Sequence, residues 1–198
     1  VIPEHLAAFP ASILKILEEH KVTFLFWVPT IMVNIANMDL LSSIQLPALK
    51  TVWFAGEVFP TKQFNYWRKM LPQTTFANLY GPIEITLDCT CFIVNREIKD
   101  EESIPIGFPC RNTDILILDA DNKLVTEAGK EGELCVRGTS LAMGYYNNPE
   151  KTASAFVQNP LNHAYPETIY RTGDVVVINE RGEIVFKGRK DTLIKHMG

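Results

Sequence analysis

The hydrophobic periodicity changes about halfway along the chain. In the first half, stripes of helical spacing alternate with short apolar runs. Ile13, Leu14, Ile16 and Leu17 form one such stripe, with Ser12 the expected N-cap. The run Val22 to Val28 has strand length and fits a strand covered on both faces. Pro29 and Thr30 open a helix carrying Ile31, Met32 and Ile35. Thr51 to Ala55 predicts a second buried strand, Gly56 turns the chain, and Pro60 starts a helix reaching Leu71. Thr75 to Leu79 predicts a third strand. Strand–helix alternation of this kind implies parallel β-structure with right-handed crossovers. Ligands in such sheets sit at the carboxyl ends of strands, where Ala55-Gly56-Glu57 and Tyr80-Gly81-Pro82 fall.

From about Ile104 the pattern shortens to strands punctuated by Gly and Asp. Thr113 to Leu118, Gly132 to Val136, Val175 to Ile178 and Glu183 to Phe186 are the clearest. Asp121-Asn122 and Arg181-Gly182 mark turns between strands. One helix is expected, with Asn148 as N-cap, Pro149 at the first helical position, then Glu150 to Val157. The expected fold class is α/β: a partial parallel α/β subdomain over residues 1–103, followed by a small, mostly antiparallel β-barrel subdomain over residues 104–190.

Composition narrows the function classes. Of 198 residues, 46% are hydrophobic and 21% charged, the balance of an ordinary globular protein. The formal charge of −4, with no basic block, leaves no electrostatic footprint for nucleic acid or an anionic membrane. No apolar run reaches the roughly 18 residues of a membrane span. The first residues, Val1-Ile2-Pro3-Glu4, lack the pattern of a signal peptide, so cytoplasm is the expected compartment. Cys89, Cys91, Cys110 and Cys135 form no C-x-x-C pair and the four His are scattered, which argues for reduced core thiols over a zinc site.

Two segments carry candidate chemistry. Tyr170-Arg171-Thr172-Gly173-Asp174 places a carboxylate after a tight turn, and Gly188-Arg189-Lys190-Asp191 adds a guanidinium about a hairpin later. A carboxylate accepts from both hydroxyls of a vicinal diol such as ribose, and an Arg fork donates from the other side. In Asn78 to Thr86, Gly81-Pro82 after a strand forces a sharp turn that leaves Tyr80 and Glu84 at the sheet rim. An aromatic face there can stack a base, and Glu84 can take a hard cation through oxygen. The plainer roles for the same residues are a packed Tyr, a capped strand end and solvated surface charges.

Four segments in order, Asn78 to Glu84, Gly132 to Gly138, Tyr170 to Asp174 and Gly188 to Asp191, resemble the motifs of the adenylate-forming ligases. These are acyl- and aminoacyl-adenylating enzymes that use ATP and Mg2+. The resemblance implies that Asn78 meets the adenine amino group, Tyr80 stacks on the ring, and Gly56, Glu57 and Gly81 line that side. It implies that Glu84 binds magnesium, that Asp174 accepts both ribose hydroxyls with Arg189 assisting, and that Asp191 is the hinge. Lys195 would serve the second, thiol-transfer half-reaction. Gly132-Glu133-Leu134 through Gly144-Tyr145 are expected to set barrel turns without touching ligand.

The resemblance departs at Ile83, where the family has a Thr whose hydroxyl donates to the adenylate phosphate. It also implies a phosphate loop upstream of Val1 and a C-terminal domain after Gly198, with residues 191–198 as the hinge, so a fragment of a longer protein is expected. Leu49 to Pro60 and Ile194 to Gly198 are closest to the amino-acid-activating branch, D-alanine–carrier-protein ligases and adenylation domains of nonribosomal peptide synthetases. The expected partners are then an amino acid, or another small carboxylate, and a carrier-protein phosphopantetheine thiol. Trp53, Ala55, Leu79 and Leu87 would wall the side-chain pocket. Acyl-CoA synthetases, with CoA as acceptor, and a non-catalytic nucleotide-binding relative are the alternatives.

Overall fold

A computed structural model describes residues 9–191. In chain order the elements are α1 (Pro10–Glu19), β1 (Phe24–Trp27), α2 (Pro29–Asn37), β2 (Thr51–Phe54), α3 (Thr61–Met70), β3 (Thr75–Tyr80), β4 (Thr90–Ile93), β5 (Phe108–Pro109), β6 (Thr113–Leu118), β7 (Glu131–Gly138), α4 (Pro149–Ala155), β8 (Phe156–Gln158), β9 (Thr168–Ile178) and β10 (Ile184–Arg189). The fold is α/β, with a parallel α/β part followed by an antiparallel β part. The described chain divides into two units, residues 9–79 with 93–104, and residues 80–92 with 105–191.

In the first unit β1 pairs with β2 and β2 with β3, all parallel. The helices bury an aromatic core of Phe54, Phe64, Trp67 and Phe76 with Leu14, Met32 and Ile35. Phe64 packs edge-on against Phe76 at 5.5 Å, and the Trp67 indole donates to the Met32 carbonyl at 2.8 Å, satisfying a polar atom that burial would otherwise orphan. Helix α3 also explains why residues 93–104 belong here. Asn65 donates to the Ile98 carbonyl at 2.8 Å, and Arg68 to the Arg96 carbonyl at 2.7 Å.

Two local expectations are corrected in this unit. Ser12 is not the N-cap of α1: the helix starts at Pro10 and Phe9 occupies the cap without a side-chain bond. Proline suits that first position because its missing N–H has no helical partner there anyway. The β1 strand is not covered on both faces either. Leu25 is buried, but Phe24, Phe26 and, on β2, Trp53 are exposed, packed edge-to-face at 5.1 and 6.2 Å.

In the second unit β4 pairs antiparallel with β5, and a larger antiparallel sheet runs β10-β9-β7-β6 with β8 on β9. Its core gathers Ile85, Cys89, Ile106, Ile117, Val125, Leu134, Val136, Tyr170, Val176 and Ile184. Asn148 caps α4 as expected, its side chain accepting from the Lys151 N–H at 3.0 Å. That helix ends at Ala155 and the next three residues are the strand β8, shorter than the helix to Val157 read from the pattern. All four cysteines are free, Cys89 and Cys135 buried, Cys91 and Cys110 half-buried.

Candidate functional site

The Tyr170–Asp174 motif does not sit at a tight turn between strands. It lies inside β9, where pairing with β7 slips between Glu133 and Cys135. Such a bulge leaves backbone groups without ladder partners and re-aims the side chains beside it. Gly173 occupies it with φ +73°, a conformation glycine adopts without a Cβ penalty. The Thr172 hydroxyl donates to the Leu134 carbonyl at 2.7 Å and accepts the Asp174 N–H at 3.0 Å. Asp174 is thereby fixed on β9 directly opposite Arg189 of β10.

Asp174 is 7% exposed and its two oxygens have different partners. Oδ2 accepts from the Tyr80 hydroxyl, and Oδ1 accepts from Arg189 Nη1 at 3.2 Å. Arg189 also donates to the Thr172 carbonyl at 3.3 Å and, through Nε, to Asp191 Oδ1 at 3.1 Å. A carboxylate offers about four lone-pair sites. With one taken on each oxygen, one acceptor site per oxygen is left, which matches the two hydroxyls of a vicinal diol. Burial raises the Asp174 carboxyl above its ordinary range, against the opposing pull of Tyr80 and Arg189. Burial, then the Asp174 charge, drives the Tyr80 phenol far upward, so it stays a donor. The Tyr80 ring lies 6.4 Å from that of Phe186.

The second group in this unit centres on Glu84, in a short 3-10 turn over Ile83–Ile85. Its Oε1 accepts from the Tyr145 hydroxyl at 2.5 Å, and its backbone carbonyl takes the Ala142 N–H at 2.7 Å. Burial pushes the Glu84 carboxyl upward, but bonding from Tyr145 and Tyr170 and the charge of Lys151 outweigh it, leaving it below the ordinary range. Lys151 Nζ stands 4.2 Å from the Tyr145 ring centroid, within cation–π range. Tyr145, expected to do no more than set a turn, therefore holds the candidate metal carboxylate. Among the described residues no three His, Cys, Asp or Glu are arranged to hold a metal ion. A lone ionised carboxylate is the usual protein share of a Mg2+ site completed by phosphates and water, so Glu84 fits that ion.

The turn before Glu84 tolerates no side chain at Gly81: an added Cβ would stand 2.1 Å from the Leu87 carbonyl oxygen. Ile83 is 87% exposed, whereas Ile85 is in the core. The Thr86 hydroxyl donates to the Ser140 carbonyl at 2.8 Å, which occupies the donor that could have stood in for the family's Thr.

The remaining predicted residues lie in the first unit, at the end of the described chain or outside it. Gly56 follows β2 with φ +91°. Glu57 Oε2 accepts from the Thr30 N–H at 3.0 Å and the Thr30 hydroxyl at 2.5 Å, capping the N-terminus of α2. Asn78 is buried on β3. Lys195 is outside the described residues. Asp191, the last described residue, is exposed and bonded to Arg189. The reading of motifs missed Tyr145 and Tyr170 as partners of Glu84. Both stood in quoted segments, but a motif does not say which carboxylate a hydroxyl will meet.

The sequence model described as AMP-binding enzyme matches residues 1–146. Zwittermicin A synthase ZmaJ of Bacillus cereus is 35% identical over 195 residues, 96% of this chain and 36% of that one. An L-proline–[L-prolyl-carrier protein] ligase of Streptomyces coelicolor is 30% identical over 200 residues, covering 100% of this chain and 36% of the ligase. Among solved structures, holo-PA1221, an NRPS protein containing adenylation and PCP domains bound to a vinylsulfonamide inhibitor, superposes with TM-score 0.81 at 26% identity. That match covers 91% of this chain and 31% of the other. The chain thus spans about a third of the length of these relatives. With the motifs, the fold and a family match over nearly three quarters of its length in agreement, the chain belongs to the AMP-binding enzyme family.

Proposed function

We propose that this chain is the nucleotide-reading part of an ATP-dependent ligase that activates an amino acid as its adenylate and passes the acyl group to a carrier-protein thiol. The observation that carries the reading is Asp174, held from both sides by Tyr80 and Arg189 with one acceptor site left on each oxygen. That is the acceptor set a ribose needs. Asp174 binds the 2′ and 3′ hydroxyls, Arg189 assists, and Tyr80 presents its ring to the base. Asn78 meets the adenine amino group, with Gly56, Glu57 and Gly81 lining that side. Glu84, kept ionised by Tyr145 and Tyr170, holds Mg2+. When bound, the ion offsets charge on the phosphates as pyrophosphate departs.

In the chemical step, a substrate carboxylate oxygen attacks the α-phosphorus of ATP. One P–O bond forms, the bond to pyrophosphate breaks, and an acyl-AMP remains. Asp191 serves as the hinge and Lys195 as a contact for the thiol-transfer step. The amino-acid branch is supported by the carrier-protein ligase and the NRPS protein among the relatives. The apolar side chains of Trp53, Ala55, Leu79 and Leu87 suit a small or hydrophobic substrate. Ile83 favours a second reading, a nucleotide-binding relative without turnover, because its exposed side chain offers no donor where the family has a hydroxyl.

Carboxylate-dependent ATP–pyrophosphate exchange on the full-length protein, across a panel of amino acids and short fatty acids, separates these readings. Exchange with one amino acid is the expected result. Exchange with fatty acids alone moves the protein to the acyl-CoA branch. A folded protein that binds ATP but exchanges with nothing favours the non-catalytic relative.

A further inference from the structure

Glu133 on β7 is 4% exposed and carries four polar contacts. Its Oε2 accepts from Arg171 Nη2 at 2.7 Å, Arg171 Nε at 2.9 Å and Lys190 Nζ at 2.7 Å. Its Oε1 accepts the Gly173 N–H at 3.1 Å. That N–H belongs to the bulge that interrupts β7–β9 pairing, so the carboxylate replaces a lost ladder partner. Arg171 is anchored in turn, its Nη1 donating to Asn122 Oδ1 at 2.9 Å. The three groups tied to Glu133 bracket the ribose-reading pair: Gly173 directly precedes Asp174, and Lys190 directly follows Arg189. A carboxylate buried this far is retained only with full pairing, and here the partners are donors or cations on β9 or just past the end of β10. Two cations hold its carboxyl ionised against burial.

We propose that Glu133 is the positioning residue of the ribose site. It fixes the bulge that aims Asp174 and, through Lys190, the strand end that carries Arg189. It touches no ligand itself. The inference rests on the reading of Asp174 as the ribose acceptor. Without the carboxylate, the Gly173 N–H is orphaned and Arg171 and Lys190 lose their shared acceptor, so the bulge that directs Asp174 is released.

The test is calorimetric binding of AMP and of 2′-deoxy-AMP to the full chain, in wild type, Glu133→Gln and Lys190→Met, each well below its melting temperature. Wild type should prefer AMP by about tenfold, the worth of one hydrogen bond to a charged group. Glu133→Gln should lose AMP affinity by about tenfold and bring the two ligands nearly level, since aim and not only fold is lost. Lys190→Met replaces a half-exposed side chain and leaves Arg171 on Glu133, so it should fold, and it should narrow the preference by about threefold. A purely structural Glu133 would lower the melting temperature and leave the ratio between the ligands untouched. If Glu133→Gln is folded with an unchanged ratio, the proposal is overturned. If Glu133→Gln does not fold, Lys190→Met decides: a narrowed ratio supports the proposal and an unchanged one overturns it. Wild type that binds AMP and 2′-deoxy-AMP equally, or binds neither, overturns the ribose reading itself and this inference with it, a result distinct from a mutant-only failure.

Discussion

Asp174 is a side chain whose burial works against its own charge. Burial raises its carboxyl above the ordinary value of 3.8. A folded-state pKa above the unfolded one means that the native chain binds more protons in that window, so stability falls as pH rises through it. Asp174→Asn removes that titration, and the Asn oxygen can still accept from Tyr80. The variant is expected to melt no lower than wild type at neutral pH, by differential scanning calorimetry, while losing one to two decades of AMP affinity, roughly the cost of a charged hydrogen bond. Ile83 makes the opposite case. At 87% exposed it packs against little, so Ile83→Thr should leave the melting temperature within about 1 °C, as surface changes do. If the hydroxyl is the donor the phosphate lacks, pyrophosphate exchange should rise by about one decade. An unchanged rate removes Ile83 as an argument for lost catalysis.

Among the elements, the turn after β3 and the bulge in β9 decide where the chemistry sits, and glycine is required in both for different reasons. At Gly81 a Cβ would overlap the Leu87 carbonyl at 2.1 Å and the Asp88 Cα at 2.6 Å, backbone atoms that would have to move. Gly81→Ala should cost about 3 kcal/mol in urea denaturation, at the severe end for a single substitution. Gly182 differs: its φ is positive, +76°, and nothing lies within 4 Å of its Cβ position. Gly182→Ala should cost only the left-handed backbone penalty of about 1 kcal/mol. Equal losses at the two sites would mean that crowding is not what fixes the turn. The sequence marked both glycines as turn residues. It could not distinguish them, because the atoms that crowd Gly81 come from residues six and seven positions on. The bulge was hidden for a similar reason. Tyr170 to Asp174 reads as a turn, and only pairing with β7 shows that it continues β9 with two extra residues in the bulge.

At the scale of the whole molecule, the two units report through different groups. All three tryptophans, Trp27, Trp53 and Trp67, lie in the first. The carboxyls held below their ordinary range, Glu84, Asp119, Glu133 and Glu167, all lie in the second among the described residues. A depressed folded pKa contributes stability above the unfolded value, and that contribution is lost as pH falls through the folded one. Acidification below the ordinary carboxylate range should therefore lower the urea midpoint seen by the amide NMR signals of β7 and β9 in the second unit. The midpoint seen by tryptophan emission should move less. Coincident midpoints at every pH would show one cooperative unit in place of two.

The sequence by itself determined the alternation of helices and parallel strands, the change to antiparallel structure, the capped helix at Asn148, and the membership signalled by four ordered motifs. These are local properties: periodicity, turn chemistry and cap residues act over a few positions, and a motif is read in one dimension. Tertiary structure alone decided that Tyr80 and Arg189 bond opposite oxygens of Asp174, that the Tyr145 hydroxyl donates to Glu84, and that Glu133 accepts the Gly173 N–H in the β9 bulge. Each of those contacts joins residues 15 to 94 positions apart. Strand register and a single bulge set their geometry, and both are fixed by pairing across the sheet, not by the preferences of any one segment.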